Sequence, residues 1–175
     1  IMSLATMVYM ADTRIERVVH GQDSWTREIE LEIPVSNVEI WDSQIHTVER
    51  MLKFLTGDLW KITLSSRAWQ FNNLEVREKS NKYDEVSLFS GGMDSLISTI
   101  NLMENKKNTL LISHAGEGLT KNAQKNIVNK FDLLYPDVLH TWLDLWMVFP
   151  RDYIPAGGND NNTRSRSFLF IGYAL

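Results

Sequence analysis

Six residues in the second half of the chain have the types and spacing of a phosphate-binding turn. The sequence SGGMDS, Ser90 to Ser95, follows a short apolar segment and precedes a helical pattern. A pyrophosphate group needs several N–H donors at close range, and glycines let the backbone approach because no side chain obstructs it. Ser90 and Ser95 add hydroxyl groups, and the following helix presents unpaired N–H groups and the positive end of its dipole. The pattern therefore predicts a site for ATP phosphates.

Asp94 is the acidic member of this turn. A carboxylate beside phosphates is repulsive unless it binds Mg²⁺ or caps the amides of the turn, so we expect Asp94 to be either a magnesium ligand or a cap of this turn. The Gly-Lys-Ser/Thr ending of a Walker loop is absent, which disfavours γ-phosphoryl transfer and favours reaction at the α-phosphate. The alternative is an ordinary strand-to-helix turn, in which Gly pairs and Ser or Asp caps are common.

A second group of charged residues opens the last helical pattern. Arg164 and Arg166 stand in the segment TRSRS, after a long loop. Two guanidinium groups at a helix start add positive charge where the dipole is already positive, which is unfavourable unless an anion lies there. A guanidinium group binds a phosphate or a carboxylate through two parallel hydrogen bonds. A bound anionic ligand is therefore one interpretation of the two arginines. Surface pairing with Asp160 or Asp152 is the other.

The elements that must position these residues alternate between strand and helix. The predicted strands are Glu85 to Phe89, Thr109 to His114 and Val138 to Val148, and the predicted helices are Asp94 to Asn105, Thr120 to Leu134 and Arg164 to Leu175. This alternation predicts an α/β domain over residues 81–175 with a parallel sheet and crossover helices. The SGGMDS turn would then lie at the carboxyl end of a strand, where open α/β sheets bind ligands.

The preceding residues, 1–80, predict a small α+β N-terminal domain. Its predicted strands are Leu4 to Met10, Thr26 to Val35 and Leu59 to Ser66, and its helix begins at a capping box at Val35, Ser36 and Glu39 and ends at Gly57. The charged segment Asn72 to Tyr83 is the predicted linker. The last helix ends on apolar residues without a cap, so we expect the second domain to be truncated at Leu175.

Composition narrows the classes of function. A hydrophobic share of 43% with six Trp and seven Phe is sufficient for a packed core. The net charge of −4 predicts no broad nucleic-acid surface, and the absence of Cys excludes disulfides, Cys-ligated zinc and thiol chemistry within these residues. No long apolar run or signal peptide is present, so we expect a cytoplasmic protein with no membrane partner.

The SGGMDS motif resembles that of the PP-loop ATP pyrophosphatases, which cleave ATP to AMP and pyrophosphate while activating a substrate oxygen. The order of LFSGGMDS and the TRSRSFLF helix is similar to the 7-cyano-7-deazaguanine synthase (QueC) branch. The WTREIELEIPV strand and the helix ending FLTGD resemble the longer QueC-like proteins of Qat-type antiphage systems. The resemblance covers nearly the whole chain, although only SGGxDS is highly specific. It implies a PP-loop fold of the adenine nucleotide alpha hydrolase type for the second domain.

The resemblance also implies roles for individual residues. The implied pyrophosphate-binding residues are Ser90, Gly91, Gly92, Asp94 and Ser95, the implied nucleoside contacts are Ser113 and His114, and the implied catalytic residues are Asp94, Arg164 and Arg166. ATP and Mg²⁺ would be the cofactors, whereas zinc would require residues beyond Leu175. Ser167 stands where an Asn is expected, which affects the substrate contacts. His114 has an alternative interpretation as a hydrogen-bonded histidine at a strand end.

The implied reaction is attack of a deazaguanine carboxylate on the ATP α-phosphate, followed by amidation or nitrile formation, in queuosine biosynthesis or antiviral defence. A rival from another class is a nucleotide-sensing module whose N-terminal domain docks a protein partner of a defence system. The acidic residues Glu28, Glu30 and Glu32 are either part of such a docking edge or a solvated face. PP-loop tRNA thiolases are disfavoured, because these residues contain neither Cys nor a basic stripe. Turnover distinguishes the synthetase from the module.

Overall fold

The computed structural model describes residues 1–68, 82–150, 160 and 164–175. The chain divides into two compact units, of which the first comprises Ile1–Glu75 with Phe149–Gly172 and the second Val76–Val148 with Tyr173–Leu175. The domain boundary predicted near residue 80 lies outside the described residues, as does most of the predicted linker. None of the helices in the described part has the length and apolar character needed to cross a membrane.

The elements follow one another in this order: α1 (Met2–Arg14), α2 (Arg17–His20), β1 (Glu28–Val35), α3 (Val38–Asp42), α4 (Ile45–Thr56), β2 (Leu59–Ser66), β3 (Glu85–Leu88), α5 (Met93–Glu104), β4 (Thr109–Ala115), α6 (Gly118–Leu134), β5 (His140–Trp146) and α7 (Arg166–Ala174).

In the first unit, β1 and β2 form a parallel pair, with Glu28 opposite Leu59 and Val35 opposite Ser66. Exposed and buried residues alternate strictly along β1, which confirms the predicted strand with an acidic outer face and an apolar inner face. α3 and α4 form the crossover between the strands. α4 ends at Gly57, as predicted, where the backbone adopts a φ of 80°. The helix cap differs from the prediction, because the side chain of Asn37 rather than Ser36 accepts the hydrogen bond from the Ile40 amide.

The predicted strand at Leu4 to Met10 is wrong, because these residues lie in α1. Its buried residues Leu4, Ala5, Val8 and Ala11 recur at intervals that place them on one side of a helix. Alternation over a few residues could not distinguish this stripe from a strand. The unit therefore has a helix before its β-α-β crossover, and its sheet has two strands in the described residues.

In the second unit, three parallel strands have the order β3-β4-β5, and α5 and α6 are the crossover helices. The predicted α/β class with a parallel sheet is confirmed at this level. β4 is central and almost entirely buried. Both connections move along the sheet in the same direction, so right-handed crossovers place both helices on one face. The core on that face contains Phe89, Leu111, Val128 and Phe131.

The structure groups α7 as far as Gly172 with the first unit, whereas the sequence-based division at residue 80 assigns it to the second domain. The contacts give the physical reason. Asp12 at the end of α1 accepts hydrogen bonds from the amide and the hydroxyl of Ser165, which precedes α7. Further along, a Cβ atom on Gly172 would lie only 2.5 Å from the Cβ of Ala5, so the backbone of α7 at Gly172 packs directly against the Ala5 side chain of α1.

Candidate functional site

The SGGMDS segment forms a tight turn directly after β3. The amide of Phe89 donates to the carbonyl of Ile112 at 2.7 Å, which extends the pairing with β4 by one residue. Gly91 then adopts a φ of 83°, a left-handed conformation that disfavours residues with a side chain. Gly92 is the N-cap of α5, which begins at Met93. The turn therefore lies at the carboxyl end of a parallel strand, as predicted.

The hydroxyl groups of Ser90 and Ser95 face each other across the turn, 3.1 Å apart. Ser95 Oγ donates to the carbonyl of Gly92 at 2.9 Å, so Ser90 is the donor in the hydrogen bond between the two hydroxyls. Ser90 Oγ in turn accepts from the amide of Gly92 at 3.3 Å. Ser90, Gly92 and Asp94 are exposed. The turn thus holds its own shape while its outer surface faces solvent.

The first amides of α5 have no side-chain cap among the described residues. By contrast, α3 is capped by the side chain of Asn37. An uncapped helix start combines open N–H donors with the positive end of the helix dipole, which favours an anion. Asp94 lies in this first turn of α5. The structure therefore brings together the five predicted pyrophosphate-binding residues at a helix start that an anion could occupy.

Gln124 of α6 lies directly beneath the turn and is fully buried. Its Nε2 atom donates to the carbonyl of Ser90 at 3.0 Å and lies 3.3 Å from the carbonyl of His114. A Cβ atom on Gly91 would lie 2.9 Å from Cγ of Gln124, so this glycine is required for space as well as for its φ angle. Sequence reasoning missed Gln124. The available signal was a polar residue on the apolar stripe of α6, four and seven residues before Val128 and Phe131.

Ser113 and His114, the predicted nucleoside contacts, are buried at the end of β4. Ser113 Oγ donates to the carbonyl of Phe89 at 2.6 Å, just before the turn. His114 Nε2 lies 3.3 Å from the carbonyl of Met147, in agreement with the alternative interpretation as a hydrogen-bonded strand-end histidine. Both described contacts are to the main chain. A direct contact with a nucleoside stays a prediction.

Arg164 and Arg166 belong to the first unit, not to the unit that contains the turn. Arg164 Nη1 donates to the carbonyl of Thr56 at 2.9 Å, and its guanidinium lies 5.0 Å from the ring centre of Trp25. The guanidinium of Arg166 lies 5.5 Å from the ring centre of Phe170. Both side chains therefore have partners within their own unit, and a role in substrate binding stays a prediction.

The anion expected at the start of α7 is supplied by the chain itself. Asp12 Oδ2 accepts from the amide of Ser165 at 3.2 Å and from its hydroxyl at 2.7 Å. A carboxylate in this position compensates the helix dipole and the added positive charge. Of the two expected surface partners, Asp160 lies against Arg17 and Arg27, and Asp152 lies outside the described residues. A bound ligand is therefore not needed to explain the charges at this helix start.

Asp12 is also part of a buried ion network in the first unit. Arg27 is fully buried and contacts Asp58 Oδ2 at 2.6 Å and Asp12 Oδ1 at 2.5 Å. Arg17 places a second guanidinium on both oxygens of Asp58, each at 2.8 Å. Burial raises the pKa of Asp58, but hydrogen bonds from Arg27 and the charges of both arginines outweigh this, and the net pKa lies below its usual value. The network neutralises its charges internally and is a structural feature.

The predicted magnesium nucleotide would not require a cluster of protein ligands around the metal ion. No cluster of three or more His, Cys, Asp or Glu residues with metal-binding geometry occurs in the described parts of the chain. Magnesium bound with ATP needs only one or two carboxylates, because phosphates and waters complete its octahedron. The exposed carboxylate of Asp94, in the first turn of α5, fits that requirement. Comparison with known proteins identifies no relative, since no family model, curated protein or solved structure matches the chain.

Proposed function

We propose that this protein binds MgATP at the SGGMDS turn and cleaves it to AMP and pyrophosphate while activating a carboxylate, carried by a 7-deazaguanine. One observation carries the nucleotide part of the proposal. The turn combines a left-handed Gly91, two facing serine hydroxyls, an exposed Asp94 and an uncapped helix start at the carboxyl end of a parallel strand. Four other described helices, α1, α2, α4 and α6, also begin without a side-chain cap, so the support comes from the combination of these features in one turn.

When bound, MgATP supplies an electrophilic α-phosphorus and a pyrophosphate leaving group. The amides at the start of α5 and the hydroxyls of Ser90 and Ser95 hold the phosphates and stabilise the charge that develops as pyrophosphate departs. Asp94 holds the metal ion. Gly91 and Gly92 allow the backbone to approach, and Ser113 and His114 support the turn from β4.

The acceptor chemistry follows from the leaving group. A carboxylate oxygen forms a bond to the α-phosphorus as the bond to the bridging oxygen breaks, and the electron pair leaves with pyrophosphate. Ammonia then attacks the acyl carbon, displaces AMP and loses a proton, which gives an amide. A nitrile requires a second ATP, whose α-phosphorus is attacked by the amide oxygen, so that this oxygen leaves with AMP and the nitrogen loses its two protons. The choice of a deazaguanine is supported by the sequence resemblance of the N-terminal segment and the TRSRS helix. Contacts from Arg164 and Arg166 to this substrate are proposed from the same resemblance alone.

The test is turnover by the full-length protein. It is incubated with ATP, Mg²⁺, ammonium and carboxy-deazaguanine, and AMP and new base products are followed by mass spectrometry. We expect AMP with an amide or nitrile product, and a loss of about 100-fold or more in Asp94→Ala, because a metal ligand is removed from the reacting phosphates. Asp137→Ala is the matched control, since Asp137 is an exposed carboxylate in the same unit.

Two other outcomes are informative. ATP binding without AMP formation contradicts the synthetase and supports the rival proposal, a nucleotide-sensing module with a protein partner. Failure of the wild-type protein to bind ATP contradicts both. Equal activity in Asp94→Ala and Asp137→Ala would remove Asp94 from the mechanism.

A further inference from the structure

Gln124 is a buried polar residue that packing alone does not explain. It projects from the apolar stripe of α6 and is fully buried. Both of its Nε2 neighbours, the carbonyls of Ser90 and His114, are acceptors, so the orientation of the carboxamide is determined. Its Oε1 atom is then buried without a hydrogen-bond partner among the described residues. A methionine would remove the unpaired Oε1 atom, but it would also leave the carbonyls of Ser90 and His114 without this N–H donor, so the carboxamide satisfies the main chain of the turn while its own oxygen stays unpaired.

The contacts of Gln124 connect the turn to two other elements. Its Nε2 atom joins the main chain of Ser90, at the start of the turn, to the main chain of His114, at the end of β4. Its Cγ atom forms the surface on which Gly91 rests, at a separation that leaves no room for a Cβ. The position of the turn above the edge of the sheet therefore depends on α6 as well as on α5, the helix that follows the turn.

We propose that Gln124 is a positioning residue of the nucleotide site. By holding Ser90 and Gly91 at one height, it directs the amides at the start of α5 and the Ser90 hydroxyl toward the departing pyrophosphate. The identity of the ligand rests on the proposed function, whereas the support of the turn by Gln124 does not. Hydrogen bonds to a leaving group gain strength as charge develops, so misplacement affects the rate more than substrate binding.

The first experiment replaces Gln124 by methionine, which keeps the length of the side chain and removes the N–H donors. We expect AMP formation at saturating ATP to fall about tenfold, with a smaller change in the Kd for MgATP and only a small loss in Tm. Gln124→Glu should be at least as impaired, because a carboxylate would face two carbonyl oxygens. Asn129→Ala is the matched control, an exposed amide further along the same helix. Wild-type rates in Gln124→Met would overturn the proposal.

Amide hydrogen exchange measured without nucleotide tests the support of the turn by Gln124 independently of any reaction with ATP. Without nucleotide, the peptide covering residues 85–96 should exchange faster in Gln124→Met than in the wild type or in Asn129→Ala. If the wild-type protein forms no AMP, the proposed function fails, and the exchange result still decides whether Gln124 holds the turn. Unchanged exchange in Gln124→Met would overturn the positioning role whatever the activity.

A double-mutant cycle tests the contact between Gln124 and Gly91 directly. Gly91→Ala should increase exchange in the turn strongly in the wild-type background, because the new methyl group meets Cγ of Gln124. In the Gln124→Ala background the same change should have a smaller effect, since only the backbone strain of a left-handed alanine remains. Strictly additive effects on exchange would contradict the contact.

Discussion

The two units use their polar residues in opposite ways. In the first unit, Asp12, Asp58, Arg17 and Arg27 are buried and paired with one another. In the second unit, Ser90 and Asp94 are exposed around an uncapped helix start. The cluster with many charges is buried and satisfies its charges internally, whereas the turn with a single carboxylate is exposed to solvent. The number of charged residues in a segment is therefore a poor guide to ligand binding, and the decisive property is whether the chain satisfies them itself.

The starts of α7 and α5 show the same contrast. Both follow a polar segment that predicts anion binding from sequence. At α7 the carboxylate of Asp12 receives the hydrogen bonds of Ser165, whereas no side chain caps the first amides of α5 in the described residues. A helix start is available to a ligand only where the fold brings no internal acceptor to it.

The largest expected effect is the difference in stability loss between replacing a buried carboxylate and replacing an exposed one. Asp58→Asn should lower the free energy of unfolding of the first unit by about 3–5 kcal/mol, because two buried guanidinium groups lose their shared partner. Asp94→Asn should change that of the second unit by less than about 0.5 kcal/mol, since Asp94 is exposed. Urea unfolding monitored by hydrogen exchange in β1 and β3 measures each unit separately. Similar losses for both variants would contradict the contrast between the buried cluster and the exposed turn.

The next largest effect is the difference in stability loss on replacing two glycines by alanine. The two have similar backbone conformations, Gly57 with a φ of 80° and Gly91 with a φ of 83°. Gly57→Ala should cost about 1–2 kcal/mol from left-handed strain, because its Cβ would meet Arg164 only at an ordinary 3.5 Å. Gly91→Ala should cost about 1–3 kcal/mol more, since its Cβ would overlap Gln124. The free energies of unfolding of the two variants test this ranking, and a reversed order would contradict it.

Acidification should cause a smaller and gradual loss of stability in the first unit. The pKa of Asp58 is lower in the folded protein than its ordinary value of 3.8, so its contribution to stability is complete above that value. It is lost as the pH falls from about 4 through the folded-state pKa. Urea midpoints between pH 6 and pH 2 should therefore fall in the first unit, and the fall should be weaker in Asp58→Asn. An identical acid dependence in both proteins would exclude Asp58 as its source.

The smallest expected effect concerns Arg164. Arg164→Ala should lower stability by about 1 kcal/mol, because it loses the stacking on Trp25 and the hydrogen bond to Thr56. If Arg164 contacts the substrate as proposed, AMP formation should also fall, with a larger change in substrate KM than in ATP affinity. Arg50→Ala, an exposed arginine on α4, is the control. Unchanged kinetics would restrict Arg164 to its structural contacts.

Local patterns were sufficient for much of the fold. Period-two alternation identified β1 and β2, apolar runs bounded by turn residues identified β3 and β4, and Gly57 and the SGGMDS turn marked helix boundaries. These features depend on backbone geometry and on residues close in sequence, so they can be read without knowledge of the rest of the chain. The error at α1 arose because a short apolar segment is compatible with both periods.

The partners of polar residues could be known only from the tertiary structure. Asp12 and Ser165 are far apart in sequence, as are Gln124 and Ser90, and no local pattern connects them. The sequence was enough to locate the SGGMDS turn between a strand and a helix and to predict the class of sheet behind it. The fold decided that the arginines of TRSRS join the first unit, that Asp12 occupies their helix start, and that Gln124 supports the turn. The physical reason is that burial and charge compensation depend on which side chains meet, and distant segments determine that only when they pack.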